Sequence, residues 1–203
     1  MSGYDQFFEK YQEAIDAREV PQEVIEKYET ILPAPIIDLW KRHGFGGYEE
    51  GLFWTINPDD YLGYVEDWID FSDYKIYPIM RTAFADIIVI YNLKTDNKDF
   101  GVENINIRHG KTNQISMSLE RFFSKILIKP GSFMADTRVK SDLFFYGVDN
   151  LGILKSNQCY GFEPITLLGG EETEKNMKIF NFYIHLDILT QVLGGPIEVV
   201  RDY

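Results

Sequence analysis

The chain has 203 residues, with 32 acidic against 20 basic side chains, a formal net charge of −12, 15% aromatic residues and one cysteine. That size and aromatic content suit one compact domain, or a domain with a substantial appendage, and exclude a disordered chain; the lone Cys159 excludes an internal disulfide or a cysteine-rich zinc site. The charge has the wrong sign for a duplex binder, no apolar run reaches the roughly 18 residues of a membrane span, and Met1-Ser2-Gly3-Tyr4-Asp5 has no signal-peptide character, so neither nucleic acid nor membrane is an expected partner and the expected address is cytoplasmic.

Tyr4, Phe7, Phe8, Tyr11 and Ile15 fall on one helical stripe, predicting a first helix. Pro21 stands where a second would begin, with Val24, Ile25, Tyr28 and Ile31 continuing the period. Beyond Leu32-Pro33-Ala34-Pro35, a third helix carrying Ile36, Leu39 and Trp40 is expected to stop at Gly44, with a turn over 44–47. Leu52, Trp54 and Ile56 alternate as in a half-buried strand. Asn57-Pro58-Asp59-Asp60 then reads as a helix start, and Tyr61, Tyr64, Val65 and Trp68 give that helix its buried face.

Lys75–Met80 and Asp86–Asn92 are strand-like, the turn residues 95–99 lead to Val102–Arg108, and a further strand runs over Gln114–Met117. Ser118 caps a helix bearing Leu119, Phe122, Phe123, Ile126 and Leu127. Helices, strand, helix, antiparallel meander and helix make an α+β pattern, with N-terminal helices packed on a mainly antiparallel sheet. Pro130-Gly131 marks the expected boundary between a domain over 1–130 and a smaller, mostly helical region over 131–203 that packs on it. In that region Ser141–Leu154 reads as helix, Cys159–Leu168 as loop or short strand, Met177–Tyr183 as strand or helix, and a short helix ends at Gly194.

Catalytic signatures are absent. Gly110-Lys111-Thr112 resembles the end of a phosphate loop, but the glycine required five residues earlier is Ile105. His43, in the last turn of its helix, suits the helix dipole as a cation; His185 reads as packed, His109 stands apart from both, and Cys159 is a small buried hydrophobe. Arg81 and Asp86 flank a small apolar turn and are candidates for a mutual ion pair or a ligand contact.

Carboxylates are the raw material left. Residues 1–80 carry 17 acids against 6 bases, nearly all of the net charge. Glu49, Glu50, Asp59, Asp60, Glu66, Asp67, Asp70 and Asp73 cluster there, and the last four have the spacing of a solvated helix face and its exit. Two readings stay open: an acidic surface that attracts a basic partner, with exposed aromatics such as Tyr48 as anchors, or a small-molecule or metal-dependent enzyme using the carboxylates with Arg81 as an anion clamp. No metal or cofactor is assigned.

Leu39-Trp40, Gly44, Tyr48-Glu49-Glu50-Gly51-Leu52-Phe53-Trp54-Thr55-Ile56-Asn57-Pro58 and Arg81-Thr82-Ala83-Phe84 resemble the GAD-like domain of bacterial proteins. Tyr160-Gly161-Phe162-Glu163-Pro164, Leu167-Leu168-Gly169-Gly170 and His185-Leu186 with Leu189 resemble the domain of unknown function that follows it. The pairing characterises immunity proteins encoded beside DNase toxins of type VI secretion systems; the early helices and meander are also similar in pattern to SMI1/KNR4-like immunity proteins. The resemblance implies a binding protein rather than an enzyme, whose partner is a cognate basic toxin. One departure stands out: Ala85 occupies a position where the family commonly has glycine, which puts in question a turn needing positive φ there.

Overall fold

The computed structural model describes residues 3–70, 74–93 and 100–197. Helix α1 (Gly3–Lys10) is followed by edge strand β1 (Ile15–Arg18), then α2 (Gln22–Tyr28) and α3 (Ala34–His43). The first helix therefore stops short of Ile15, which is 38% exposed and starts β1 instead. Both following helices begin behind prolines, Pro21 and Pro33, whose fixed φ favours the first turn and whose missing N–H is not needed there. Gly44 (φ +72°) ends α3 as expected, and Lys41, Arg42 and His43 sit at its negative end.

The expected turn over 44–47 is instead strand β2 (Phe45–Tyr48), paired antiparallel with β1 and with β3 (Phe53–Thr55). Glycine makes this possible, because a Cβ on Gly46 would lie 2.7 Å from that of Ala14. A chain that looks like a hinge by composition is thus a buried strand whose neighbours approach too closely for side chains. Strand β3 is buried throughout rather than half-buried, since both faces of the sheet are covered. Asn57 caps a 3-10 turn over Pro58–Asp60 by accepting from the Asp59 N–H at 3.2 Å, and α4 (Leu62–Trp68) follows.

Strands β4 (Tyr74–Thr82), β5 (Ile87–Leu93), β6 (Gly101–Asn106) and β7 (Lys111–Ser116) complete a seven-stranded antiparallel sheet in the order β1 to β7. The expected turn over 95–99 lies outside the described residues. The β4–β5 turn is tied by the Thr82 hydroxyl, which accepts from the N–H groups of Phe84 and Asp86, both at 3.2 Å. Ala85 holds φ +67° there, so the turn keeps the left-handed conformation although the residue is not glycine. Such a conformation costs an L-residue about 1 kcal/mol, and complete burial of the Ala85 methyl offsets a comparable amount.

Ser118 caps α5 (Leu119–Arg121), which continues as a π-helix over Phe122–Leu127. Helices α6 (Pro130–Thr137) and α7 (Ser141–Tyr146, then a π-helix over Gly147–Leu151) follow. Strand β8 (Gln158–Phe162) pairs antiparallel with β9 (Met177–Asn181), resolving the two ambiguous segments as a hairpin. The last helix, α8 (Phe182–Leu193), starts at a side-chain cap from Asn181 and ends at Gly194.

Alternation along β5 separates two cores. Ile88 and Ile90 enter one with α1, α2, α3, α5 and α6, whereas Ile87 and Val89 enter the other with α4 and α8. All four are fully buried, which explains a continuous apolar run in an antiparallel strand. Burial of each is worth about 1.5–3 kcal/mol. Phe133 of α6 rests on Phe53 of β3 with ring centroids 5.0 Å apart, so chain beyond Pro130 shares the first core. The architecture is α+β, an antiparallel sheet between helices with a mostly helical C-terminal region. Among the described residues, no helix is long and apolar enough to cross a membrane.

Candidate functional site

The carboxylates singled out in the sequence do not form one continuous face. Glu49 lies in the β2–β3 connection, where Glu49 and Glu50 take φ +49° and +57°. The Glu49 carboxylate accepts from the Lys10 ammonium and, at 2.6 Å, from the Tyr11 hydroxyl, fastening α1 to that turn. Asp59 accepts from Lys27 at 2.5 Å and from the Tyr28 hydroxyl at 2.6 Å, fastening α2 to the start of α4. Burial alone would raise its carboxyl, but Lys27 and Tyr28 more than offset this and hold it below the ordinary range. Both residues are structural ties. Tyr48 is 2% exposed, stacked on Phe53 at 5.1 Å with its hydroxyl 3.0 Å from His43 Nδ1, so the expectation of an exposed anchor there is corrected.

Glu50, Asp60, Glu66, Asp67 and Asp70 are exposed; Asp73 lies outside the described residues. Burial and the neighbouring Asp59 lift the Asp60 carboxyl above its ordinary range despite Arg18. Glu66 and Asp70 border an open groove of about 570 Å³ between α4 and β4, floored by Ile69, Ile76 and Tyr77.

Helix α8 lies beside α4. The Tyr64 hydroxyl donates to Asp187, and the Trp68 indole donates to the Thr190 hydroxyl at 3.1 Å. On α8, Ile184, Asp187, Ile188 and Gln191 share the exposed face at helical spacing, Ile184 at 61% and Ile188 at 41% exposure. Sequence reasoning missed this pair. The signal was present, because α8 carries apolar residues on every side, Phe182, Ile184, Leu186, Ile188 and Leu189 among them, and one core cannot bury them all.

Among the described residues, Arg81 is not placed as an anion clamp in a ligand-sized cavity with the clustered carboxylates. Arg81 is fully buried, donating to the Ser156 carbonyl at 2.9 Å and lying over the rings of Trp54 and Phe182. It borders one crevice with Asp60, and that crevice, about 10 Å³, holds at most a water. Arg81 and Asp86, candidates for a mutual ion pair or a ligand contact, do not pair with each other. Asp86 instead takes a two-pronged contact from Arg108 at 2.8 and 3.2 Å, and Arg108 also donates to Glu172 at 2.6 Å. Among the described residues, no group of three His, Cys, Asp or Glu side chains is placed to hold a metal ion.

His43 is held toward its neutral form by burial and by Arg42, so the expected dipole-stabilised cation is not what this environment favours. His185 and Cys159 are packed as expected, and burial pushes the Cys159 thiol up to about 12. The loop that delivers Glu172 turns at Gly170, where a Cβ would lie 1.8 Å from the Pro164 carbonyl oxygen. Gly170→Ala is therefore expected to cost about 2–3 kcal/mol, read as a lower urea midpoint with an unchanged m-value.

Residues 2–99 match the model of the GAD-like domain, and residues 117–193 match that of the T6SS immunity protein Tdi1, C-terminal. No curated protein matches the chain. The fold is similar to the crystal structure of Atu4351 from Agrobacterium tumefaciens, with a TM-score of 0.70 and 20% identity, over 97% of this chain and 91% of that one. At that identity the likeness shows the fold.

Proposed function

This chain belongs with the type VI secretion immunity proteins, joining a GAD-like domain to a Tdi1 C-terminal domain, and from that premise we propose that it binds a cognate secreted toxin and neutralises it by stoichiometric occlusion. The toxin is a basic protein, a DNase, acting in the compartment where this chain resides. A nuclease must present cations to hold a polyanion. An inhibitor can use those same cations for recognition.

The observation that carries the choice of surface is the α4–α8 face. It joins α4, which exposes Glu66, Asp67 and Asp70, to α8, which exposes Ile184 and Ile188, with Asp187 and Tyr64 bridging the two helices. Charge and apolar area divide the work physically. Rim carboxylates speed encounter and make it salt-dependent, whereas desolvated aliphatic side chains slow dissociation. Helix α8 also falls inside the matched immunity domain.

The test is co-purification with the product of the neighbouring gene, followed by nuclease assay of the complex. Wild type is expected to form a one-to-one complex in which DNA cleavage is suppressed. The triple reversal Glu66→Lys, Asp67→Lys, Asp70→Lys should slow association at least tenfold at low salt and flatten its salt dependence. Ile184→Asp with Ile188→Asp should instead raise the dissociation rate about 100-fold, corresponding to roughly 2–3 kcal/mol. Full protection and unchanged rate constants in both variants would remove this face from the interface. A complex that still cleaves DNA would reject occlusion.

A further inference from the structure

A second concave site lies on the opposite side of the charge balance. Between the β6–β7 connection, the α6–α7 connection and the loop before β9 is a cavity of about 440 Å³, lined by His109, Lys111, Thr112, Arg138, Lys140 and Glu172 among others. In a chain of net charge −12, three permanent cations and a single carboxylate line this cavity. That carboxylate is already engaged: Glu172 Oε1 takes Arg108 at 2.6 Å and His109 Nε2 at 3.2 Å, and Oε2 takes Lys140 at 3.2 Å. Lys111 and Arg138 make no ion pair with any described residue.

Two further features belong to residues that line this cavity. Thr112 is 8% exposed, yet its hydroxyl oxygen has no hydrogen-bond partner among the described residues. A buried hydroxyl left unsatisfied costs about 1–3 kcal/mol, so it is uncommon unless something completes it. Arg138 holds φ +58° at the end of α6, a position where glycine or asparagine is the unstrained choice.

We propose that this cavity binds a small phosphate-bearing ligand of mononucleotide size or less. A guanidinium fork from the α6–α7 connection, with a lysine ammonium and a hydroxyl donor from the start of β7, suits the terminal oxygens of a phosphomonoester better than a planar carboxylate. The volume exceeds what one phosphate fills and leaves room for an organic group. The negative potential of the rest of the chain opposes adventitious anion binding, so uptake depends on this local cluster. The inference does not rest on the toxin reading.

The test is calorimetric titration of the full chain at low ionic strength with 5′-AMP and, separately, inorganic phosphate. AMP should bind with a dissociation constant below about 1 mM, and phosphate more weakly. Lys111→Met and Arg138→Gly should each weaken AMP at least tenfold, and Thr112→Val severalfold. Arg138→Gly should at the same time melt no lower than wild type, because glycine relieves the positive φ, and this separates lost binding from lost folding. Absence of AMP binding by wild type overturns the proposal. So does binding that survives both Lys111→Met and Arg138→Gly, which would place the anion elsewhere.

Discussion

Arg108→Ala is expected to lower the free energy of unfolding by about 3–5 kcal/mol, a large part of what holds a domain of this size together. The guanidinium lies between two almost completely buried carboxylates, Asp86 with a side chain at 0% exposure and Glu172 at 5%. Burial lifts the Asp86 carboxyl and Arg108 opposes that lift, so removing the cation strands a charge in the core. Arg108 also packs over the Phe84 ring at 5.1 Å, and its stem is lost with the charge. A desolvated ion pair is weak as a net contributor but costly to break on one side only. The double variant Arg108→Met with Asp86→Leu should therefore recover at least half of the loss, because it removes both charges and keeps the volume. Urea unfolding of the two variants checks this, and a double variant no better than Arg108→Ala would mean that the pair itself supplies net stability.

The second large effect is a loss of stability on mild acidification, centred on His185. The residue is 3% exposed and stacks on Phe180 with centroids 4.6 Å apart. Burial, helped by the Arg108 charge, lowers its pKa to about 4 from the ordinary 6.5. Between those values the unfolded chain takes up a proton that the folded chain refuses. The stability tied to neutral His185 is thus complete above pH 6.5 and is lost as pH falls toward 4, to the extent of about 3 kcal/mol. Glu172 extends the decline. Burial alone would raise its carboxyl, but the bonds and charges of His109, Arg108 and Lys140 overcome that and bring it to about 2. Its contribution is present above the ordinary glutamate value of 4.5 and disappears toward pH 2. Urea midpoints for wild type should fall steadily from pH 7 to pH 4. In His185→Leu the fall between pH 6.5 and 4.5 should be largely abolished, and an undiminished slope would assign it to other groups.

Local signals in the sequence were read correctly where short-range physics decides. Pro21 marks a helix start, Asn57 and Ser118 supply side-chain caps, and Gly44 and Gly194 close helices. The meander was legible because each strand is contiguous and β-branched, and neighbours in sequence are neighbours in the sheet. The β2 segment was not, because Phe45-Gly46-Gly47-Tyr48 has the composition of a turn. Its strand character comes from the close approach of β1 and the Trp54 ring. The same limit applies to the carboxylates. Glu49 and Asp59 have the same formal charge as Glu66 and Asp67, yet the first two are bonded to tyrosines and lysines distant in sequence.

The sequence alone determined the α+β class, the antiparallel meander from Lys75 onward and the excess of acid in its first 80 residues, since capping, periodicity and composition act over a few residues. Tertiary structure decided which charges remain available. It spent Glu49 and Asp59 on internal ties, buried Tyr48 and Arg81, gave Asp86 to Arg108 in place of Arg81, and left Ile184 and Ile188 uncovered beside the acidic helix. It also gathered Lys111, from the start of β7, and Arg138 and Lys140, from the α6–α7 connection, around one cavity. Ionisable side chains act over a few ångströms, and only the folded chain sets those separations.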